Sequence, residues 1–336
     1  MVKDGVVDLG NGAFCYLQDT NRGTGWGWSN SGLIVDSGEA VMIDTLRDEA
    51  LTGAMLDAYR DATGLKARDI GTLVNTHADG DHTYGNRLMR HARIMASKEC
   101  AELMAGRPPS VFQEWFDTRP EGEVGDFIFR LYGPPFNFIG IEPTMPSEYV
   151  KDQQEIRVGN KTARILMAGP AHTPGDIMVY VPEDRIIFTG DIVFLNNTPI
   201  LWSGPSGNWI RALDEILALD VDIVVPGHGP VTDKDGVRKT REYLVFVEEE
   251  TLERFDAGLS MEDAIQDIAL GQFEDWGGAE RIAVNVERIY ARLRGVQPTR
   301  DLRSLLTLMA PLAQRAYRKK CAATPDKDVC ACGEQH

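Results

Sequence analysis

Three observations place this chain in the α/β class, with a helical C-terminal third. Short β-branched runs alternate with turn signals and helical stretches from residue 13 to about residue 230. The acids and histidines of chemical interest stand just past the ends of such runs, at the sheet rim where ligands bind in α/β folds. Beyond Asp235 the strand signal stops, and apolar residues recur at helical spacing.

In chain order, Gly32-Leu33-Ile34-Val35-Asp36 and Ala40-Val41-Met42-Ile43-Asp44 flank Ser37-Gly38-Glu39, the pattern of a hairpin. Asp48 to Thr63 sets Leu51, Met55, Leu56 and Tyr59 on one helical stripe. Thr72-Leu73-Val74-Asn75 is a strand that runs into a histidine cluster, and a helix is expected to start near Tyr84. Ala163 to Met167 leads to His172. Ile177 to Val181, a turn at Pro182-Glu183-Asp184 and Arg185 to Phe188 form a second hairpin ending on Asp191. Val221 to Val225 ends on Pro226-Gly227-His228-Gly229.

Residues 99–150 interrupt the alternation with Trp115, Phe116, Phe127, Phe129, Tyr132, Phe136 and Phe138, broken by Pro108-Pro109 and Pro134-Pro135. They read as an inserted cap, helical at first, or as a surface excursion with its own small core. The later stripes (Tyr243, Phe246, Val247 and Phe255; Ala264, Ile265 and Ile268; Ile282, Val286, Ile289 and Tyr290; Leu302, Leu305, Leu306, Met309, Leu312 and Ala316) are core or subunit contacts. A homodimer is compatible with them, and Pro311 is expected to kink the last helix. The chain thus divides into an α/β region over 1–235, a helical region over 236–320 and a tail over 321–336 expected to be flexible.

The formal charge of −16, from 51 acidic and 35 basic residues, argues against nucleic-acid and anionic-membrane partners. Such a charge is explained first by simple solubility; beyond that it would favour neutral or cationic small molecules, although a metal site supplies its own positive charge. The five cysteines (Cys15, Cys100, Cys321, Cys330 and Cys332) form no disulfide framework, and those of the tail with His336 match no strong zinc pattern. With no apolar N-terminal leader and no apolar run of about 18 residues, a cytoplasmic location is the expectation.

Four of the six histidines lie in strand-end loops beside Gly or Asp. Thr76-His77-Ala78-Asp79-Gly80-Asp81-His82 packs four metal-capable side chains into six residues, which packing alone does not require. Imidazole suits zinc or iron, and carboxylates bridge cations or add charge. With Gly169-Pro170-Ala171-His172-Thr173-Pro174-Gly175-Asp176, Phe188-Thr189-Gly190-Asp191 and Pro226-Gly227-His228-Gly229-Pro230, and with the strand end at Asp44, these blocks resemble, in order, the signature of the metallo-β-lactamase superfamily. The resemblance covers about residues 10–235.

It implies an αββα sandwich, two packed mixed sheets flanked by helices, with two divalent metals at one edge. His77, Asp79 and His172 would take the first metal; Asp81, His82 and His228 the second; Asp191 would bridge. Such a pair lowers the pKa of a shared water for attack on a carbonyl, phosphoryl or sulfuryl centre, and Asp81 would orient the nucleophile and pass a proton to the leaving group. Zinc is the expected metal. Asp79 departs from the family pattern, which has a histidine there, and a carboxylate admits manganese or iron. The implied activity is hydrolysis of a small ester, lactone, thioester or amide; a di-metal oxidoreductase and a non-catalytic metal-binding relative are the alternatives.

Several neighbours earn a place beside the ligands. Thr76 and Asn75 are candidates to hold ligand histidines, and Asp176 to hold the His172 loop or cap the next strand. Trp26 and Trp28, in Thr24-Gly25-Trp26-Gly27-Trp28-Ser29-Asn30, and Trp202 are candidate substrate contacts or packing residues, as is Trp209. Gly23 to Gly27 lacks the strand–helix context and lysine of a phosphate cradle. Lys234 and Arg238 would suit a carboxylate-bearing thioester, but are equally ordinary at a helix start.

Overall fold

The structure, a computed structural model, describes residues 4–20 and 25–323, with side chains described through residue 319. One sheet runs in the order β1 (Gly5–Gly10), β2 (Ala13–Leu17), β3 (Ser31–Asp36), β4 (Glu39–Ile43), β5 (Thr72–Val74), β6 (Arg93–Ser97) and β7 (Glu148–Val150). Its first four strands are antiparallel neighbours, and β4 to β7 are parallel. The second sheet places β8 (Gln154–Val158), β9 (Lys161–Met167), β10 (Ile177–Val181) and β11 (Ile186–Phe188) antiparallel in sequence, with β12 (Ile223–Val225) parallel to β11 at the edge. Ser37 and Gly38, both at positive φ, close the expected β3–β4 hairpin.

Period-two alternation explains the layering. Ile34, Val41, Ile43 and Val74 face Ile165, Val179, Ile186 and Phe188 of the second sheet in one buried core. The intervening Leu33, Met42 and Leu73 turn the other way, onto Met55, Leu56 and Tyr59 of helix α1 (Glu49–Thr63). Asp48 caps that helix by accepting the Leu51 N–H at 2.8 Å. Gly32 is required where the sheets touch: a Cβ there would lie 2.4 Å from the Phe188 ring.

The outer face of the second sheet, with Met178, Tyr180, Ile187 and Val224, packs on the remaining helices. After α2 (Gly80–Thr83) and α3 (Lys98–Gly106), helices α4 (Pro109–Asp117) and α5 (Glu123–Tyr132) carry Phe112, Phe127 and Tyr132 into this same core. So do α6 (Ser206–Ala218), α7 (Lys234–Asp256), α8 (Met261–Asp267), α9 (Ile282–Leu293) and α10 (Leu302–Ala323). Helix α10 continues past Pro311, with its Leu305, Leu306, Met309, Ala310 and Ala313 buried in this core. It also takes in position 321; Cys330, Cys332 and His336 lie outside the described residues. The αββα sandwich and the helical C-terminal region are as expected.

One local expectation is corrected. The helix after the first histidine cluster does not start near Tyr84: α2 occupies Gly80–Thr83 inside the cluster, and Tyr84 is its C-cap. Asp81 and His82 therefore sit on a single helical turn. No helix among the described residues is long and apolar enough to cross a membrane.

Candidate metal centre

Four strand-end loops bring the histidines together around Asp191. His77 and Asp79 follow β5, and Asp81 and His82 lie on α2. His172 lies between β9 and β10, Asp191 in the single 3₁₀ turn after β11, and His228 after β12. The Nε2 atoms of His77, His172 and His228 lie 3.7, 3.3 and 3.3 Å from Asp191 Oδ2, and that of His82 lies 3.1 Å from Oδ1. Asp79 Oδ2 is 3.3 Å from His172 Nε2, and Asp81 Oδ2 is 3.5 Å from His228 Nε2. Ligand atoms of His77, Asp79 and His172 lie within 4.8 Å of one another, as do those of Asp81, His82 and His228.

The other ring nitrogen of each histidine is engaged away from this centre. His172 Nδ1 donates to the Ile200 carbonyl at 2.7 Å and His228 Nδ1 to the Trp28 carbonyl at 2.9 Å. His82 Nδ1 donates to Asp44 Oδ2 at 2.9 Å. The Thr76 hydroxyl gives its one proton to Asp44 at 2.7 Å, so it accepts from His77 Nδ1 at 2.9 Å. Each imidazole thereby turns its Nε2 inward, where it offers a lone pair whenever the ring is neutral. His77 Nε2, His82 Nε2 and Asp191 Oδ1 are buried with no hydrogen-bond partner, and buried polar atoms are rarely orphaned. A cation satisfies all three at once, so the donor set fits divalent metals.

The electrostatics agree with so crowded a site. Burial pushes the His77 imidazole down to about 4, with His82 beside it adding to the shift. Burial alone would raise the Asp191 carboxyl, but His228, His82 and His77 hold it well below its ordinary range. Burial opposes protonation of His172 too, yet its bond to Asp79 and the charge of Asp191 bring it up to about 9.

A cleft opens over this cluster. Trp26 and Trp202 line it; Trp28 does not, packing instead on Phe136 at 4.8 Å between ring centroids. Trp202 Nε1 donates to Asp79 Oδ2 at 3.1 Å, and Trp209 is fully buried under His172 with its Nε1 on the Ile192 carbonyl. Asn75 reaches the His82 carbonyl at 3.1 Å, while Asp176 pins the His172 loop by accepting from Ala171 and Thr173. Burial pushes the Asp176 carboxyl up to about 6. Lys234 bonds the Leu219 carbonyl and Arg238 pairs with Asp235; neither lines the cleft.

Sequence reasoning missed four residues here. Asp44 was visible only as a strand end, and it is the carboxylate behind His82 and Thr76. Arg47, Arg107 and Arg281 line the cleft, and nothing in their local sequence marks them.

Two mixed sheets, flanking helices and a rim of inward-facing imidazoles and carboxylates define a sandwich fold with a site fit for metals. The chain belongs to the metallo-beta-lactamase superfamily, whose sequence profile matches residues 24–228. It is 28% identical over 178 residues to a hydroxyacylglutathione hydrolase of Methylococcus capsulatus, covering 53% of this chain and 54% of that one. It is 23% identical over 136 residues to a linear primary-alkylsulfatase of Pseudomonas sp., covering 37% and 26%. The chain thus spans about half or less of the length of these relatives. In structure it matches a stereoselective inverting sec-alkylsulfatase from Pseudomonas sp. with a TM-score of 0.64 at 16% identity, over 97% of this chain and 55% of that one; this likeness is one of fold.

Proposed function

We propose that the chain is a binuclear metal-dependent hydrolase of small molecules. His77, Asp79 and His172 would hold one cation, Asp81, His82 and His228 the other, with Asp191 between them. The observation that carries the reading is the inward turn of all four Nε2 atoms, with every Nδ1 engaged behind its ring. Divalent cations supply, when bound, an acidified water and a Lewis acid for the bond under attack.

The chain's own residues supply the rest. Thr76, Asp44 and the Ile200 and Trp28 carbonyls fix tautomer and ring orientation. Asp81, with Oδ1 3.9 Å from Arg47 and Oδ2 turned toward His228, takes up and returns the proton that moves to the leaving group. Trp26, Phe112, Tyr132 and Trp202 wall the cleft against bulk water. An ester, lactone, thioester or amide suits this arrangement, and relatives named as a hydroxyacylglutathione hydrolase and a linear primary-alkylsulfatase add weight to hydrolysis.

Asp79 favours one second reading, an iron-dependent oxidative enzyme, because a carboxylate hardens the site. Elemental analysis of the purified protein, with turnover measured on lactone, thioester, phosphodiester, sulfate-ester and β-lactam substrates, separates the two. About two zinc or manganese ions per chain with oxygen-independent turnover supports the hydrolase. Iron with oxygen consumption overturns it.

A further inference from the structure

The ionisable groups of the cleft do not share the charge of the chain. Its carboxylates are Asp79, Asp81 and Asp191, and its guanidinia are Arg47, Arg107 and Arg281. With neutral imidazoles the two sets cancel, whereas the chain as a whole stands at −16. Any divalent cation at the cluster makes the cleft positive. The field of the surface therefore does not predict the charge of the molecule that enters.

Two of the arginines are built in rather than draped over the surface. Arg47 lies just after β4 and Arg281 just before α9, yet both close on the turn at Trp26 and Gly27. The Arg281 guanidinium lies 4.4 Å from the Trp26 ring centroid, and a Cβ at Gly27 would fall 2.6 Å from Arg47 Nε. Arg47 is 8% exposed and Arg281 3%. The Nε of each is buried with no hydrogen-bond partner.

Their other contacts leave donors over. Arg47 reaches the Leu131 carbonyl at 3.3 Å, and its one carboxylate neighbour among the described residues is Asp81, at 3.9 Å. Arg281 holds the Thr198 carbonyl at 2.7 Å, and among the described residues no carboxylate oxygen lies within 4 Å of it. The adjacent Glu280 instead accepts Trp26 Nε1–H at 2.7 Å. A guanidinium cannot escape burial by losing its proton in the physiological range, so holding it there is costly unless an acceptor arrives. Arg107 differs: it is more exposed and lies 3.8 Å from Asp79.

We propose that Arg47 and Arg281 grip an anionic head group of the substrate, a carboxylate or sulfate, while Trp26, Phe112, Tyr132 and Leu302 take its apolar remainder. The planar forks match two oxygens of such a group, and the aromatic walls suit an alkyl or aryl tail. This deepens the hydrolase reading by naming its substrate class, and rests on that reading for the cleft being the substrate site.

The test is direct binding, followed by tryptophan fluorescence or calorimetry, of octanoate, octyl sulfate and octan-1-ol to the metal-free and the metal-loaded protein. Both anions are expected to bind at least about tenfold more tightly than the alcohol in either form. Arg281→Gln should weaken anion binding by about tenfold or more while the alcohol is unaffected. If that variant does not fold, Arg281→Lys, which keeps charge and loses the fork, should show a smaller loss in the same direction. Equal binding of octanol and octanoate, or unchanged anion binding by the Arg281 variant, overturns the proposal. Metal content, measured separately on the same samples, tells its failure from that of the hydrolase reading: anion binding without metal uptake leaves this inference standing and removes the other.

Discussion

Asp44 Oδ2 lies 2.9 Å from His82 Nδ1 and also accepts the Thr76 hydroxyl at 2.7 Å, so one carboxylate behind the cluster orients two of its four imidazoles. It holds His82 directly and His77 through Thr76. The Thr76 N–H, at 2.7 Å from Oδ1, completes its set of donors. Asp44 occupies left-handed backbone at φ 58, which asparagine tolerates. Asp44→Asn should therefore fold while losing the anionic acceptor. Metal affinity, measured by competition with a chelating dye, is expected to fall by about 10–100-fold. Unchanged affinity would show that the carboxylate charge contributes nothing to the centre.

His82→Ala and His228→Ala each remove an inward Nε2 from the same group of ligands. Metal content should drop from about two ions toward one per chain. Turnover should fall by more than the roughly hundredfold expected from disturbing a group behind a ligand. Circular dichroism should remain that of the parent. Near-normal turnover in either variant would sink the assignment of the second cation. Asp79→His restores the family pattern and should shift selectivity toward zinc; identical metal content and affinity would remove Asp79 from the ligand set.

The ligands were legible because each sits in a short contiguous block at the end of an apolar run, and strand ends are where a sheet collects its loops. The sandwich was legible because strands such as β3 and β4 alternate so cleanly between two cores. The arginines were not legible. Arg47, Arg107 and Arg281 come from three distant parts of the chain, and only tertiary packing makes them neighbours of one cleft. Nor could spacing tell Trp26 from Trp28: one lines the cleft, and the other packs on Phe136 and lends its backbone carbonyl to His228. The one-turn helix at Gly80 defeated propensity, since glycine is a poor helix residue and the turn is held from outside by bonds such as Thr45 N–H to the His82 carbonyl. Strand β7, three residues at the close of an aromatic segment, is too short for periodicity to mark.

Gly227 precedes His228 and packs against the bridging acid. A Cβ there would lie 2.0 Å from Asp191 Oδ1 and 2.7 Å from the Gly190 carbonyl carbon. The first contact could be relieved by moving the carboxylate, but the second is backbone. Gly227→Ala should thus displace Asp191, reduce metal content and destabilise the fold by about 1–3 kcal/mol in urea titration. A variant with full metal content and parental stability would mean that Asp191 is not held where these contacts place it.

Chelation reports on how the two sheets are tied together. His77 and His82 follow the first sheet's β5, whereas His172, Asp191 and His228 follow strands of the second. A cation held by both sets bridges the sandwich at one edge, and the unfolded chain has no such site. At metal concentrations about a thousandfold above Kd, binding to the native state alone adds about 4 kcal/mol. For a chain of this size that corresponds to a rise in Tm of roughly 5–15 °C. Dialysis against EDTA should lower Tm by that order, and restoring zinc or manganese should return it. The shift should be smaller in the His82→Ala, His228→Ala double variant, which keeps only the ligand group His77, Asp79 and His172 for a single cation. A Tm indifferent to EDTA in a parent protein shown to contain metal would mean that the cations sit elsewhere than between these loops.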